Sequence, residues 1–163
     1  MKKIHTEKAP AAVGPYSQAV VINGLIYTSG QIALDPVSGT LVGTTIEEQA
    51  EQVMKNLVAV LEAAGTKPEN AVKTLCFLTD INDFAAFNEV YARYFTEKPA
   101  RSCVGIQSLP KGSLCEAEVI VTTAPLYPAS DTSRLVPRPS RNTGSSASLR
   151  NRSVPRSSSS VRT

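Results

Sequence analysis

The sequence predicts one α+β domain, a mixed β-sheet with two helices packed on one of its faces. Three observations predict it: two β-rich runs joined by Asn-Gly near the N-terminus, two stretches whose apolar residues recur at helical spacing, and two alternating apolar runs that close the pattern. A chain of 163 residues has room for one sizeable core and too little for two ordinary domains.

The elements follow in order. In "QAVVINGLIYTSG", Asn23-Gly24 accepts the positive φ angles of a type I′ turn, which places strands near 18–22 and 25–30. "DPVSG" at 35–39 is turn chemistry, and "TLVG" after it reads as a short third strand. From Ile46 the apolar positions 46, 50, 53, 57, 60, 61 and 64 trace one helix face. Thr45 and Glu48 supply a capping box at its start, and Gly65 stands where a helix ends in the left-handed conformation. "AVKTLCFL" (71–78) is a buried strand. "NDFAAFNEVYARYF" (82–95) is a second amphipathic helix, capped by Asn82 or Asp83, with Phe84, Phe87, Tyr91 and Tyr94 as a stripe for core or subunit contact. "RSCVGIQ" and "SLCEAEVIV", separated by "LPKG", form the closing pair of strands. Helices on one side leave the other sheet face in need of a partner, so a homo-oligomer is expected.

Charge and composition divide the chain. Residues 1–127 carry 10 Lys and Arg against 13 Asp and Glu, while 128–163 carry seven Arg, no Lys and Asp131 alone, so a domain of net −3 precedes a segment of net +6. Rich in Ser, Arg and Pro and without periodicity, 128–163 cannot bury enough apolar surface to offset its chain entropy and is expected to be disordered. No run approaches the roughly 20 apolar residues of a membrane span, and the basic start "MKKIHTEKAP" lacks an apolar stretch behind it, so a cytoplasmic protein without membrane partners is expected. Cys76, Cys103 and Cys115 are widely spaced and His5 is the sole histidine, which argues against a disulfide framework or a zinc site and for reduced, mostly buried thiols. "GIQSLPKGS" has Pro110 and Gly112 where a Walker loop needs Gly and Ser or Thr, and no Rossmann fingerprint is present.

The chemistry-bearing residues sit in the last two strands. Alternation puts Arg101 and Cys103 on one face of their strand, and Glu116 and Glu118 together on one face of the next. Arg101 with Glu116 reads either as a salt bridge between paired strands or as a carboxylate receptor, since a guanidinium in apolar surroundings binds both carboxylate oxygens. "GPYSQ" (14–18) and "TSGQ" (28–31), at the outer ends of the hairpin, add a phenol, hydroxyls and glycines that let a ligand approach the backbone.

Taken together and in order, "GPYSQA", "YTSGQI", "NDFAAFNEVY", "PARSCV" and "LPKG" followed by an E-x-E strand resemble the Rid family, the reactive intermediate deaminases also called YjgF or RidA, over about residues 4–124. The resemblance implies a chorismate-mutase-like fold, a homotrimer, and hydrolysis of 2-imino acids such as 2-iminobutanoate and 2-iminopropanoate to 2-keto acids and ammonia in clefts between subunits, with no metal or other cofactor. Residue by residue it implies that Arg101 clamps the substrate carboxylate and that Glu116 handles the attacking water. It further implies that Cys103 offers its backbone carbonyl, that Tyr16, Ser29 and Gly30 line the pocket, and that Phe84 and Asn88 come from a neighbouring subunit. The chain departs from the family pattern at Gly105, where a charged residue is expected, and at Cys115 and Ala117, where larger aliphatics are usual, which predicts looser packing around Glu116. Two other classes fit the same likeness: a small-carboxylate sensor without turnover, and a ribonuclease or translation inhibitor. The net −3 of the domain argues against nucleic acid as its partner, while the basic segment after it suits weak, nonspecific contact.

Overall fold

The computed structural model describes residues 1–123; the segment expected to be disordered, 128–163, lies outside the described residues. In order, the elements are β1 (Lys2–Ile4), β2 (Ala19–Ile22), β3 (Leu25–Thr28), β4 (Gln31–Ile32), α1 (Ile46–Ala63), β5 (Ala71–Leu78), α2 (Phe84–Tyr94), β6 (Ala100–Gly105) and β7 (Cys115–Thr122). One sheet runs β1-β2-β3-β7-β5-β6, with β4 also paired to β7. Only β5 and β6 are parallel, joined by α2 as the crossover; the other pairs are antiparallel, so the sheet is mixed.

Local signals build the first half. Asn23 and Gly24 take φ of 50° and 77°, which turns β2 directly into β3 with Ile22 opposite Leu25. The Thr45–Glu48 capping box forms in both directions at the start of α1. At its end Gly65 adopts φ 80°, with the Thr66 N–H donating to Leu61 O (3.0 Å) and the Gly65 N–H to Glu62 O (2.9 Å), the pattern of a Schellman motif.

The core lies between the sheet and the helices. On β5, Thr74, Cys76 and Leu78 are fully buried, as are their register partners Val119, Ala117 and Cys115 on β7. Ala50, Val53, Met54, Leu57, Val60 and Leu61 of α1 and Phe87 of α2 complete that layer. Alternation sends Lys73, Leu75 and Phe77, with Glu116, Glu118 and Ile120, to the opposite face, where all are half-buried and Tyr27 and Val104 are exposed. The helices therefore cover one face of the sheet and leave the other open.

Several expectations are corrected. "TLVG" is not a strand: Leu41 makes an isolated bridge to Leu34, and the third hairpin-side element is the two-residue β4. The edge strand β1 had no sequence signal. Asp83 stands at the N-cap position of the second helix but its side chain makes no capping bond; Asp80 accepts from the Asn82 N–H (2.9 Å) and caps a 3₁₀ turn, Ile81–Asp83, that leads into α2. Finally, β6 and β7 do not pair, because residues 106–114 carry the chain past β5 and insert β7 in the middle of the sheet.

Candidate active site

Arg101 occupies the outer strand β6 on the helix-covered side, in register with Thr74 of β5. α2 packs on the same side. Its Tyr91 ring lies 4.6 Å, centroid to Cζ, from the Arg101 guanidinium, and its Phe84 ring lies 5.5 Å away, both within cation–π range. Tyr91 is fixed in turn: its hydroxyl hydrogen-bonds the Thr74 hydroxyl (2.8 Å) and its ring stacks on Phe95 with centroids 4.7 Å apart. Burial pushes the Tyr91 phenol upward, so it meets the guanidinium as a neutral ring. Beside this group opens a cleft of about 290 Å³ walled by Asn88, Tyr91, Phe95, Lys98, Pro99 and Arg101. The Asn88 Oδ1 is buried there without a hydrogen-bond partner. The ion pairs among the described residues all end on Glu51, so Arg101 faces the cleft with no carboxylate beside it.

Cys103, next on that face, is half-buried, and its register partner Cys76 is fully buried. Burial raises the Cys103 thiol, partly offset by Arg101, and lifts Cys76 to about 12. Both are protonated at neutral pH and unsuited to nucleophilic attack.

Glu116 stands elsewhere. On β7, paired with Ile32 of β4 and Phe77 of β5, it points to the open face. Burial, and secondarily the nearby Glu118, raises its carboxyl above the ordinary range. Gly30 makes room for it: a Cβ there would sit 2.6 Å from the Glu116 Cδ and overlap the carboxylate. Tyr16, Gly30, Ile32, Pro110 and Glu116 share a second cleft. Tyr16 is about half exposed, at 47%, and its hydroxyl accepts from the Val13 N–H (3.3 Å). Ser29 ties the two walls together, donating from Oγ to Ser17 O (2.6 Å) and from its N–H to Gln18 O (2.9 Å).

The site residues thus fall into two groups on opposite faces of one sheet: Arg101, Cys103, Phe84 and Asn88 on the helix side, and Glu116, Gly30, Ser29 and Tyr16 at the other cleft. The salt bridge between Arg101 and Glu116 does not exist, since β5 separates their strands and their side chains diverge. The expectation that Asn88 and Phe84 reach Arg101 from another subunit is also corrected, because α2 brings both to it within one chain. Sequence reasoning misses two residues in these groups. Tyr91 reads from the sequence only as part of the aromatic stripe. Gln18, buried at the end of "GPYSQ", accepts from the Thr6 N–H (2.7 Å) and donates to the carbonyls of Thr6, Ala9 and Pro10, which pins the N-terminal loop forming one wall of the Glu116 cleft.

The departures have a structural account. Cys115 and Ala117 are fully buried on the helix side, away from Glu116, and so do not loosen its surroundings. At Gly105 a Cβ would already approach Ile81 Cβ to 3.3 Å, so the larger side chain expected there would crowd that contact. Among the described residues no three His, Cys, Asp or Glu side chains converge as metal ligands, and no helix is long and apolar enough to cross a membrane.

Comparison with known proteins places the chain in a family. The family model described as Endoribonuclease L-PSP matches residues 6–123. A human protein named 2-iminobutanoate/2-iminopropanoate deaminase is 49% identical over 128 residues, covering 78% of this chain and 93% of its own. A Lactococcus lactis relative that bears a regulator's name, AldR, is 52% identical over 121 residues, 74% of this chain and 96% of its own. Among solved structures, YyfA of the Rid protein family from Yersinia pestis superposes with a TM-score of 0.72 at 50% identity, over 74% of this chain and 98% of that one. The chain belongs to the Endoribonuclease L-PSP family, the YjgF/Rid proteins.

Proposed function

We propose that this protein hydrolyses 2-imino acids to 2-keto acids and ammonia at sites assembled between copies of the chain, the Arg101 cleft of one facing the Glu116 cleft of the next. The observation that carries the reading is the Arg101 guanidinium, held by two aromatic rings and in no ion pair among the described residues. A carboxylate supplies the missing charge and takes two parallel hydrogen bonds from its fork. The name of the human relative gives the substrate class, 2-iminobutanoate and 2-iminopropanoate. Because the two clefts lie on opposite faces of the sheet, one small molecule meets both only where two copies abut, and the uncovered face of the sheet offers the surface for a homotrimer.

In this mechanism Arg101 fixes the carboxylate and Asn88 Oδ1 accepts a hydrogen bond from the bound imine's nitrogen. Ionised Glu116 takes a proton from water as the oxygen attacks the C=N carbon of the protonated imine, giving a neutral 2-amino-2-hydroxy acid. Glu116 then gives that proton to the amino nitrogen, the C–N bond breaks with its electron pair leaving on nitrogen as ammonia, and Glu116, ionised again, takes the hydroxyl proton as C=O forms and passes it to the ammonia, which leaves as ammonium. A base whose pKa is raised toward working pH is stronger than an ordinary carboxylate, which suits the half-buried setting of Glu116. The function is assigned to residues 1–127, and 128–163 plays no part in it.

The test couples a dehydratase that forms 2-iminobutanoate to this protein and follows 2-ketobutanoate release across pH. Release is expected to accelerate, with kcat/KM falling on the acid side as Glu116 becomes protonated, at a pH above the ordinary carboxylate range because its carboxyl is raised. Binding of 2-ketobutanoate without acceleration would instead identify a carboxylate sensor, the role that the regulator's name of the Lactococcus relative favours.

A further inference from the structure

We propose that Tyr91 and Thr74 are positioning residues that orient the Arg101 guanidinium for carboxylate binding. The inference rests on the deaminase reading for its substrate and on the packing of Arg101 for its geometry. Thr74 and Arg101 are direct register partners on β5 and β6, so the sheet ladder fixes their separation. The Thr74 side chain is fully buried, and its hydroxyl meets that of Tyr91 at 2.8 Å. Phe95 backs the same ring at 4.7 Å, and Phe87 lies 6.1 Å from it. Tyr91 is therefore held by β5 and by its own helix, and the guanidinium lies over it at 4.6 Å.

A long arginine side chain in an open cleft has several rotamers, and a carboxylate that binds two N–H groups at once selects one of them. A guanidinium resting over a ring keeps its N–H edge clear of the ring and available to an anion, so the ring removes part of the ordering cost before substrate arrives. Phe84, 40% exposed, is the looser of the two contacts, which leaves Tyr91 as the fixed one. The Tyr91 hydroxyl is engaged by Thr74, which is itself fully buried, so neither residue offers a free proton donor or acceptor to the reacting atoms, and their effect falls on binding and not on the chemical step.

Tyr91→Leu removes the ring and is expected to raise KM for 2-iminobutanoate, and Kd for 2-ketobutanoate by calorimetry, about tenfold with kcat within twofold. Tyr91→Phe keeps the ring and frees it from Thr74, for a rise of about two- to threefold; Thr74→Val should match it, and the double variant should add nothing further. A purely structural role would lower the melting temperature and the active fraction, and so kcat, while leaving KM and Kd in place. Unchanged KM and Kd in Tyr91→Leu would overturn the proposal. Should that variant not fold, unchanged Kd in both Tyr91→Phe and Thr74→Val, or additive effects in the double variant, would do so. A parent protein that binds 2-ketobutanoate but does not turn over the imine removes the deaminase reading and leaves the positioning role to be decided by Kd.

Discussion

Replacing Arg101 with Ala lowers kcat/KM for 2-iminobutanoate by about 10²- to 10³-fold and leaves the melting temperature within a few degrees of the parent. The carboxylate of the substrate then enters the cleft without the guanidinium fork, with Lys98 of the wall as the remaining cation. A buried charge stripped of its partner costs roughly 3 to 4 kcal/mol, and each 1.4 kcal/mol is about a factor of ten. The fold tolerates the change because Arg101 lies on an outer strand, half-buried, and joins no ion pair among the described residues that would be left broken. Arg101→Lys separates charge from shape: an ammonium keeps the attraction but loses the fork and the broad face that rests on Tyr91, so its activity should fall between the two. Steady-state rates on freshly generated imine, with calorimetric unfolding beside them, check both halves. Activity of Arg101→Ala within threefold of the parent would return the guanidinium to a packing role.

Glu116→Gln removes the base and nothing else of similar size, and is expected to reduce kcat by about 10²- to 10⁴-fold, the range for general base catalysis, with little change in KM. Its effect on stability should have the opposite sign. The folded chain raises the Glu116 pKa, so it holds this proton more tightly than the unfolded chain does. That contribution is present at acid pH and lost as pH rises through the folded value; at neutral pH the ionised, half-buried carboxylate is a burden that Gln lifts. A Glu116→Gln protein that is inactive yet melts at or above the parent's temperature at pH 7, with the advantage gone at pH 4, is the expected outcome. A destabilised variant would show that Glu116 holds the fold rather than the water.

What could be read from the sequence was mostly local. Asn23-Gly24, the Thr45–Glu48 box and Gly65 each act within a few residues, and each forms as expected. β1 and β4, of three and two residues, exist only because they pair with strands distant in sequence, so no window reveals them. The placement of β7 between β3 and β5 is likewise a long-range fact, and the relation of Arg101 to Glu116 depends on it. Alternation assigned each side chain to a face of its own strand but could not say which faces coincide once β5 lies between them. The family likeness supplies candidate site residues without their grouping, so it sets Asn88 and Phe84 across an interface from Arg101, whereas α2 brings both to the Arg101 cleft within one chain. Tyr91 was hidden for a different reason: an aromatic at helical spacing looks the same whether it packs on aliphatics or under a guanidinium.

The central claim is that the two clefts act on one substrate only across a contact between chains. Refolding Arg101→Ala and Glu116→Gln proteins together from an equal mixture tests it most directly, with native mass spectrometry to confirm homotrimers and their mixed composition. Each parent is nearly inactive, and a site inside one chain would stay so in every mixture. If Arg101 comes from one chain and Glu116 from its neighbour, random mixing gives about one site in four an intact copy of each. The account predicts recovery of roughly a quarter of parental activity per site; a mixture of proven mixed trimers no more active than either variant alone would contradict it.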